Sequence, residues 1–197
     1  MGSPGPATIS LAATGSAFGV RPALGYLSGI IIGTTCVLLL VATGVATALI
    51  AHPIVGHILT VLATIYILYL AWKIATAPVK SARSADNISA DNMAQPHETT
   101  APDFRGGLLL AIANPKAFAA IGAVYASHHI VQNAIWLNNT LKITALTLVI
   151  VLVNTTWLIF GAGFSRLLSD PRAGRAINIL FALMLIASVS TALLSLL

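Results

Sequence analysis

Long apolar runs cut by short polar interruptions set the pattern of this chain. From Pro22 to Ala51 there are thirty residues without a charge, and after His52-Pro53 a second uncharged run extends from Ile54 to Trp72. A helix needs about 20 apolar residues to cross a bilayer, so this length predicts two spans joined by a tight turn at His52-Pro53. Ahead of them lies a small-residue apolar stretch, residues 1 to 18, opening on Pro4-Gly5-Pro6 without the basic start of a signal peptide. Residues 77 to 103 change character: they are rich in Ala, Ser, Asn, Asp and Pro, without apolar periodicity, and are predicted to be a solvated linker. Apolar runs resume at 106–127, 143–165 and 176–197, the last two separated by a basic turn around Asp170-Pro171. The expected fold is an all-α integral membrane protein of six spans: a first three-helix repeat over 1–76, the linker over 77–103, and a second three-helix repeat over 104–197.

Composition supports this reading. Of 197 residues 57% are hydrophobic and 8% charged, and the mean hydropathy is +0.92. A soluble domain carries about a quarter charged residues, so too little polar surface exists here to cover a globule in water. The net charge of +5 comes with no basic patch interleaved with aromatics, which excludes nucleic acid as a partner. A single cysteine, Cys36, excludes an intrachain disulfide or a dithiol redox pair. No catalytic triad, phosphate loop, cofactor motif or metal-ligand spacing occurs, so neither enzyme chemistry nor a cofactor is expected. The adjacent His128-His129 are expected to be solvated loop residues rather than metal ligands.

Within the fourth run stands Asn114-Pro115-Lys116. A Lys at mid-membrane costs roughly 2.5 to 3.5 kcal/mol even on lenient insertion scales. Lys116 lies eleven residues past Arg105, about 16 Å along a helix, or half of a 30 Å hydrocarbon core. Pro115 donates no N–H and pushes against the carbonyl four residues back, freeing backbone acceptors beside the ammonium. A kink with a snorkelling lysine is the structural alternative; the depth of Lys116 favours a binding role.

The two halves correspond in order. Pro4-Gly5-Pro6 interrupts the first helix of one half and Asn114-Pro115-Lys116 that of the other, while Gly33-Thr34-Thr35-Cys36 matches Asn154-Thr155-Thr156-Trp157 in the following spans. Interrupted helices at matching places in opposed repeats point to a midplane transport site. Gly25, Gly29 and Gly33 at four-residue spacing make a strip for close helix packing.

Ser3-Pro4-Gly5-Pro6, that glycine ladder, Tyr69-Leu70-Ala71-Trp72-Lys73, Phe104-Arg105-Gly106-Gly107 and Asn114-Pro115-Lys116, in this order, resemble the lysine exporter and homoserine lactone exporter (LysE/RhtB) family. The resemblance covers nearly the whole chain. It implies a bacterial inner-membrane exporter of amino acids or similar small zwitterions, driven by an ion gradient for which the proton is the expected ion. The lipid bilayer is the other partner, and a homo-oligomer is compatible with the sequence. In the family an apolar half helix precedes the Pro-Gly-Pro motif, so the first helix is expected to be incomplete here. An acid often found in the fifth span is replaced by Asn154.

Substrate-binding residues are expected to be Lys116 for a carboxylate, Asn114 and Pro115 beside it, the backbone around Pro4, Gly5 and Pro6, and the polar groups of Thr34, Thr35, Asn154 and Thr155. A metal-cation exporter on a related fold is the rival transport reading, but the spans offer no acids, one Cys and no central His. A truncated, non-transporting membrane helper is the alternative from outside transport.

Lys and Arg on alternate loops set the orientation. One face receives Arg21, Lys73, Lys80, Arg83, Arg105, Arg166, Arg172 and Arg175, the other only Lys142. The positive-inside rule places the 77–103 linker in the cytoplasm and the C-terminus outside. Single cysteines at Ser89 and Asn133 in a Cys36→Ser background test this with an impermeant thiol reagent on intact cells. Labelling at position 133 and not 89 is the expected outcome; the reverse overturns the orientation.

Overall fold

A computed structural model describes residues 4–44, 53–77, 101–127, 130–131, 134–164 and 171–194. Most of the 77–103 linker, His52, His128-His129 and Asp170 lie outside these residues. The described part is all-helical: α1 (Pro6–Phe18), α2 (Val20–Ala42), α3 (Pro53–Ala75), α4 (Phe104–Ala113), α5 (Pro115–Ser127), α6 (Ile135–Phe164) and α7 (Pro171–Leu194). Helices α2, α6 and α7 are each long and apolar enough to cross a bilayer, and α4 with α5 forms one further span bent by 60°. In α3 the apolar stretch is Thr60–Ala75.

Side-chain distribution confirms lipid as the solvent. Large apolar residues such as Ile58, Leu62, Ile65, Trp72, Leu152, Ile159, Leu180 and Leu183 are exposed along the outer faces of α3, α6 and α7. The polar residues Asn114, Asn138, Lys142, Asn154 and Asn178 are buried. That inversion suits a medium with no water to solvate polar groups.

The sequence predicts a span reaching Ala51, whereas α2 stops at Ala42. Gly44 takes φ +77°, a left-handed conformation that glycine adopts without strain. Conversely, α6 begins at Ile135, well before the expected Ile143, so Lys142 lies inside a helix instead of a loop.

Helix α1 occupies the centre. Residues Thr8 to Ser16 are all buried, and the main apolar cluster joins its Ile9, Leu11 and Ala12 to Tyr26 and Ile30 of α2, Ile67 and Leu70 of α3, Leu110 of α4, Leu158 of α6 and Leu185 of α7. A second cluster, Val37, Leu38, Phe118, Ile121, Leu146 and Ile150, ties α2, α5 and α6 together.

Two close crossings hold the bundle, and each uses glycine from both partners. Between α1 and α6, a methyl on Gly15 would strike the Leu158 carbonyl, and one on Gly161 would strike the Ala12 carbonyl. Between α2 and α4, a methyl on Gly29 would run into the Phe104 carbonyl, and one on Gly107 into the Tyr26 carbonyl. In lipid, where no hydrophobic effect draws helices together, such backbone approach supplies the van der Waals contact that does. The ladder is graded: at Gly33 an added carbon lies 2.7 Å from the Ala111 Cβ, but at Gly25 nothing is nearer than 3.8 Å.

That grading yields a test. Gly29→Ala and Gly161→Ala are expected to destabilise detergent-purified protein by about 1–3 kcal/mol each, the usual cost of overpacking. Gly25→Ala should be neutral or slightly stabilising, since alanine is the better helix former by about 1 kcal/mol. Thermal unfolding followed by size-exclusion chromatography reads this, and an equal loss at Gly25 and Gly29 would contradict the crossing geometry.

Candidate functional site

The interruption at Asn114 is a break between two helices. Asn114 is extended at φ −80°, ψ 102°, and serves both neighbours: its N–H donates to the Ala111 carbonyl at 3.4 Å, and its side-chain Oδ1 accepts from the Lys116 N–H at 3.1 Å. Pro115 opens α5, a position where the N–H it lacks would have had no helical partner. Proline therefore costs the new helix nothing, and the 60° bend takes up the conflict with the preceding turn.

Helix α1 begins in the same way. Pro6 occupies its first position, Gly5 before it is extended, and the Thr8 hydroxyl accepts from the Gly5 N–H at 2.9 Å while donating to the Gly5 carbonyl at 3.1 Å. Both α1 and α5 are 13 residues long and start from a proline, and Lys116 links the two starts: its Nζ donates to the Pro4 carbonyl oxygen. Glycine at position 5 makes room for this lysine. A Cβ there would sit 3.0 Å from Lys116 Cδ and 3.1 Å from Nζ.

Lys116 separates two cavities. The smaller, about 80 Å³, is lined by Gly5, Thr8 and Ala7 of the first half, Thr34 of α2, Asn114, Lys116 and Ile121 at the break and on α5, and Ile150, Val153 and Asn154 of α6. The larger, about 310 Å³, lies on the other side of the break, between α3 and α7, and shares Asn114 and Lys116 with the first. Lys116 retains accessible surface because it faces both.

Of the expected binding residues, the small cavity gathers Gly5, Thr34, Asn114, Lys116 and Asn154 from distant parts of the chain, and Pro6 and Pro115 line the larger one. Pro4 takes part through its carbonyl. Thr35 and Thr155 line neither cavity; the Thr35 hydroxyl donates to the Ile31 carbonyl at 2.8 Å, as an isolated helical threonine does. In the buried Asn154 side chain, Nδ2 donates to the Ile150 carbonyl at 2.7 Å.

Sequence reasoning missed Thr8, the hydroxyls of Thr60, Thr64 and Ser188 in the larger cavity, and the setting of Lys142. Thr60 and Thr64 share one face of an apolar helix at a spacing of four, a signal present in the sequence. Lys142 is 6% exposed, donates to the Tyr125 carbonyl at 2.8 Å, and lies 4.7 Å from the centre of the Tyr125 ring. That carbonyl belongs to the last turn of α5, the negative end of its dipole, so Lys142 fastens α5 to α6.

Charge in the site is one-sided. Neither cavity is lined by a carboxylate, and Asp103 is the only acid among the described residues. It caps α4 by accepting from the Gly106 N–H at 2.9 Å, eleven residues before Asn114. The proline-led N-termini of α1 and α5 add their partial positive charge to that of Lys116. Such a site attracts an anionic group and supplies side-chain amides and a hydroxyl for a polar neighbour. Among the described residues no group of His, Cys, Asp and Glu is placed to hold a metal ion.

The sequence pattern of LysE type translocators matches residues 1–195. A cysteine/O-acetylserine efflux protein of Salmonella choleraesuis is 31% identical over 185 residues, covering 93% of this chain and 86% of the relative. Its namesake in Escherichia coli K12 is 29% identical over the same extent. No solved structure matches. With the family's pattern covering nearly every residue and the broken helix placing Lys116 between two cavities inside an apolar bundle, the chain belongs to the LysE type translocator family.

Proposed function

We propose that this protein exports small amino acids or closely related zwitterions across the bacterial inner membrane, recognising the substrate carboxylate through Lys116. The observation that carries this reading is an ammonium placed between two cavities in an apolar bundle with only a backbone carbonyl as partner. A lysine serving structure alone is better served by a carboxylate or by full enclosure, as Lys142 is. An open ammonium has N–H groups to offer a ligand. At 4 Å and an effective dielectric constant of about 20, two unit charges attract by about 4 kcal/mol, which bounds what Lys116 adds to carboxylate binding.

The substrate ammonium finds oxygen acceptors in the same walls: the side chains of Thr34 and Asn154 and the backbone around Gly5. The relatives named as cysteine/O-acetylserine efflux proteins support a substrate of that size and polarity. Their names also favour an amino acid over a metal cation, which the positive charge of the site would repel. The proton is the proposed coupling ion. The proposed orientation keeps the 77–103 linker in the cytoplasm.

Cells expressing the protein should lose preloaded labelled cysteine or serine faster than vector controls. Lys116→Met, which keeps most of the stem and removes the charge, is expected to insert normally and to lower export at least tenfold. Lys116→Arg, with a planar head of different reach, should retain a part of it. Normal export by a well-inserted Lys116→Met protein would dispose of the role given to this residue.

A further inference from the structure

The two cavities differ in what they can hold. An apolar cavity of about 150 Å³ admits benzene, six heavy atoms. The small cavity, at about 80 Å³, is half that size and too small for a whole amino acid, whereas about 310 Å³ is twice that size. Resting on the export reading, we infer that the larger cavity between α3 and α7 is the substrate's side-chain pocket, and that it selects side chains bearing a hydrogen-bond donor.

The selection follows from where hydroxyl protons go. Thr64 donates its single proton to the Thr60 carbonyl at 2.7 Å, and Ser188 donates to the Leu185 carbonyl at 2.8 Å. A hydroxyl has one proton and two lone pairs, so Thr64, having spent the proton on its own helix, meets a ligand as an acceptor. The remaining wall, from Ala63, Ile67, Ala119 and Val189, is apolar. A side-chain hydroxyl or thiol has a proton for the Thr64 oxygen. A methyl of the same size gains nothing there, and an O-acylated side chain has lost its donor. The zwitterionic head stays at the wall the two cavities share, with its carboxylate on Lys116 and its ammonium turned toward Thr34 and Asn154 in the small cavity. Thr64 is thereby assigned to specificity.

Purified full-length protein in proteoliposomes, exchanging labelled serine against unlabelled amino acids, provides the test. The parent should prefer serine to α-aminobutyrate, which has a methyl in place of the hydroxyl. Thr64→Val should cut that preference about tenfold, the scale of one hydrogen bond to a desolvated partner. Ala63→Leu fills the pocket without touching a polar group, and it should weaken serine exchange more than Ala120→Leu on the wall of the small cavity. An unchanged serine to α-aminobutyrate ratio in a folded Thr64→Val protein overturns the inference, as does a larger loss from Ala120→Leu than from Ala63→Leu. A parent that exchanges no amino acid at all defeats the export reading and this inference with it, so the two failures are told apart by the parent alone.

Discussion

The hydrogen bond from Lys116 to the Pro4 carbonyl is the constraint from which the centre of this protein follows. An ammonium at this depth must be satisfied by the protein, and the backbone supplies the acceptor because the chain is interrupted by proline on both sides of the contact. The bond requires glycine at position 5, where any side chain would press on the lysine stem. It also draws the starts of α1 and α5 to one level, so two helix N-termini, an amide and a charge converge where the two cavities meet.

Proline makes this possible by starting helices instead of bending them. At the first position of a helix its missing N–H has no role to lose, so Pro6 and Pro115 open α1 and α5 without leaving an unsatisfied donor in lipid. The remaining polar groups near the break are served locally, by Thr8 for Gly5 and by Asn114 for Lys116. Polar backbone at membrane depth is tolerated here because it lines cavities within the protein, away from the acyl chains.

Much of this was legible in the sequence. The charge carried by Lys116 and the proline beside it stand out against an apolar background, and the residues gathered with them were found because each is the polar exception in its own span. What escaped is what depends on three-dimensional facing. Thr34 and Thr35 are equivalent in sequence, but the helix turns only Thr34 toward the cavity, and Asn154 and Thr155 divide in the same way. Lys142 reads as a loop charge because a run of apolar residues begins just after it, yet α6 extends a further two turns and buries it against Tyr125. Thr64 and Ser188 pass unnoticed because a hydroxyl bonded to its own helix is the common state of threonine and serine in membranes.

The glycine crossings have a consequence for how the chain is made. They pair α1 with α6 and α2 with α4, so each tight contact joins the first half to the second. Gly15 is synthesised 146 residues before Gly161, and at 5 to 20 residues per second that separation is roughly 7 to 30 seconds. Throughout this interval α1, short and lined with Thr8, Ser10, Thr14 and Ser16, has no α6 to cover it. The nascent chain therefore depends on the insertion machinery, or on its own α2, to shelter those hydroxyls until α6 is complete.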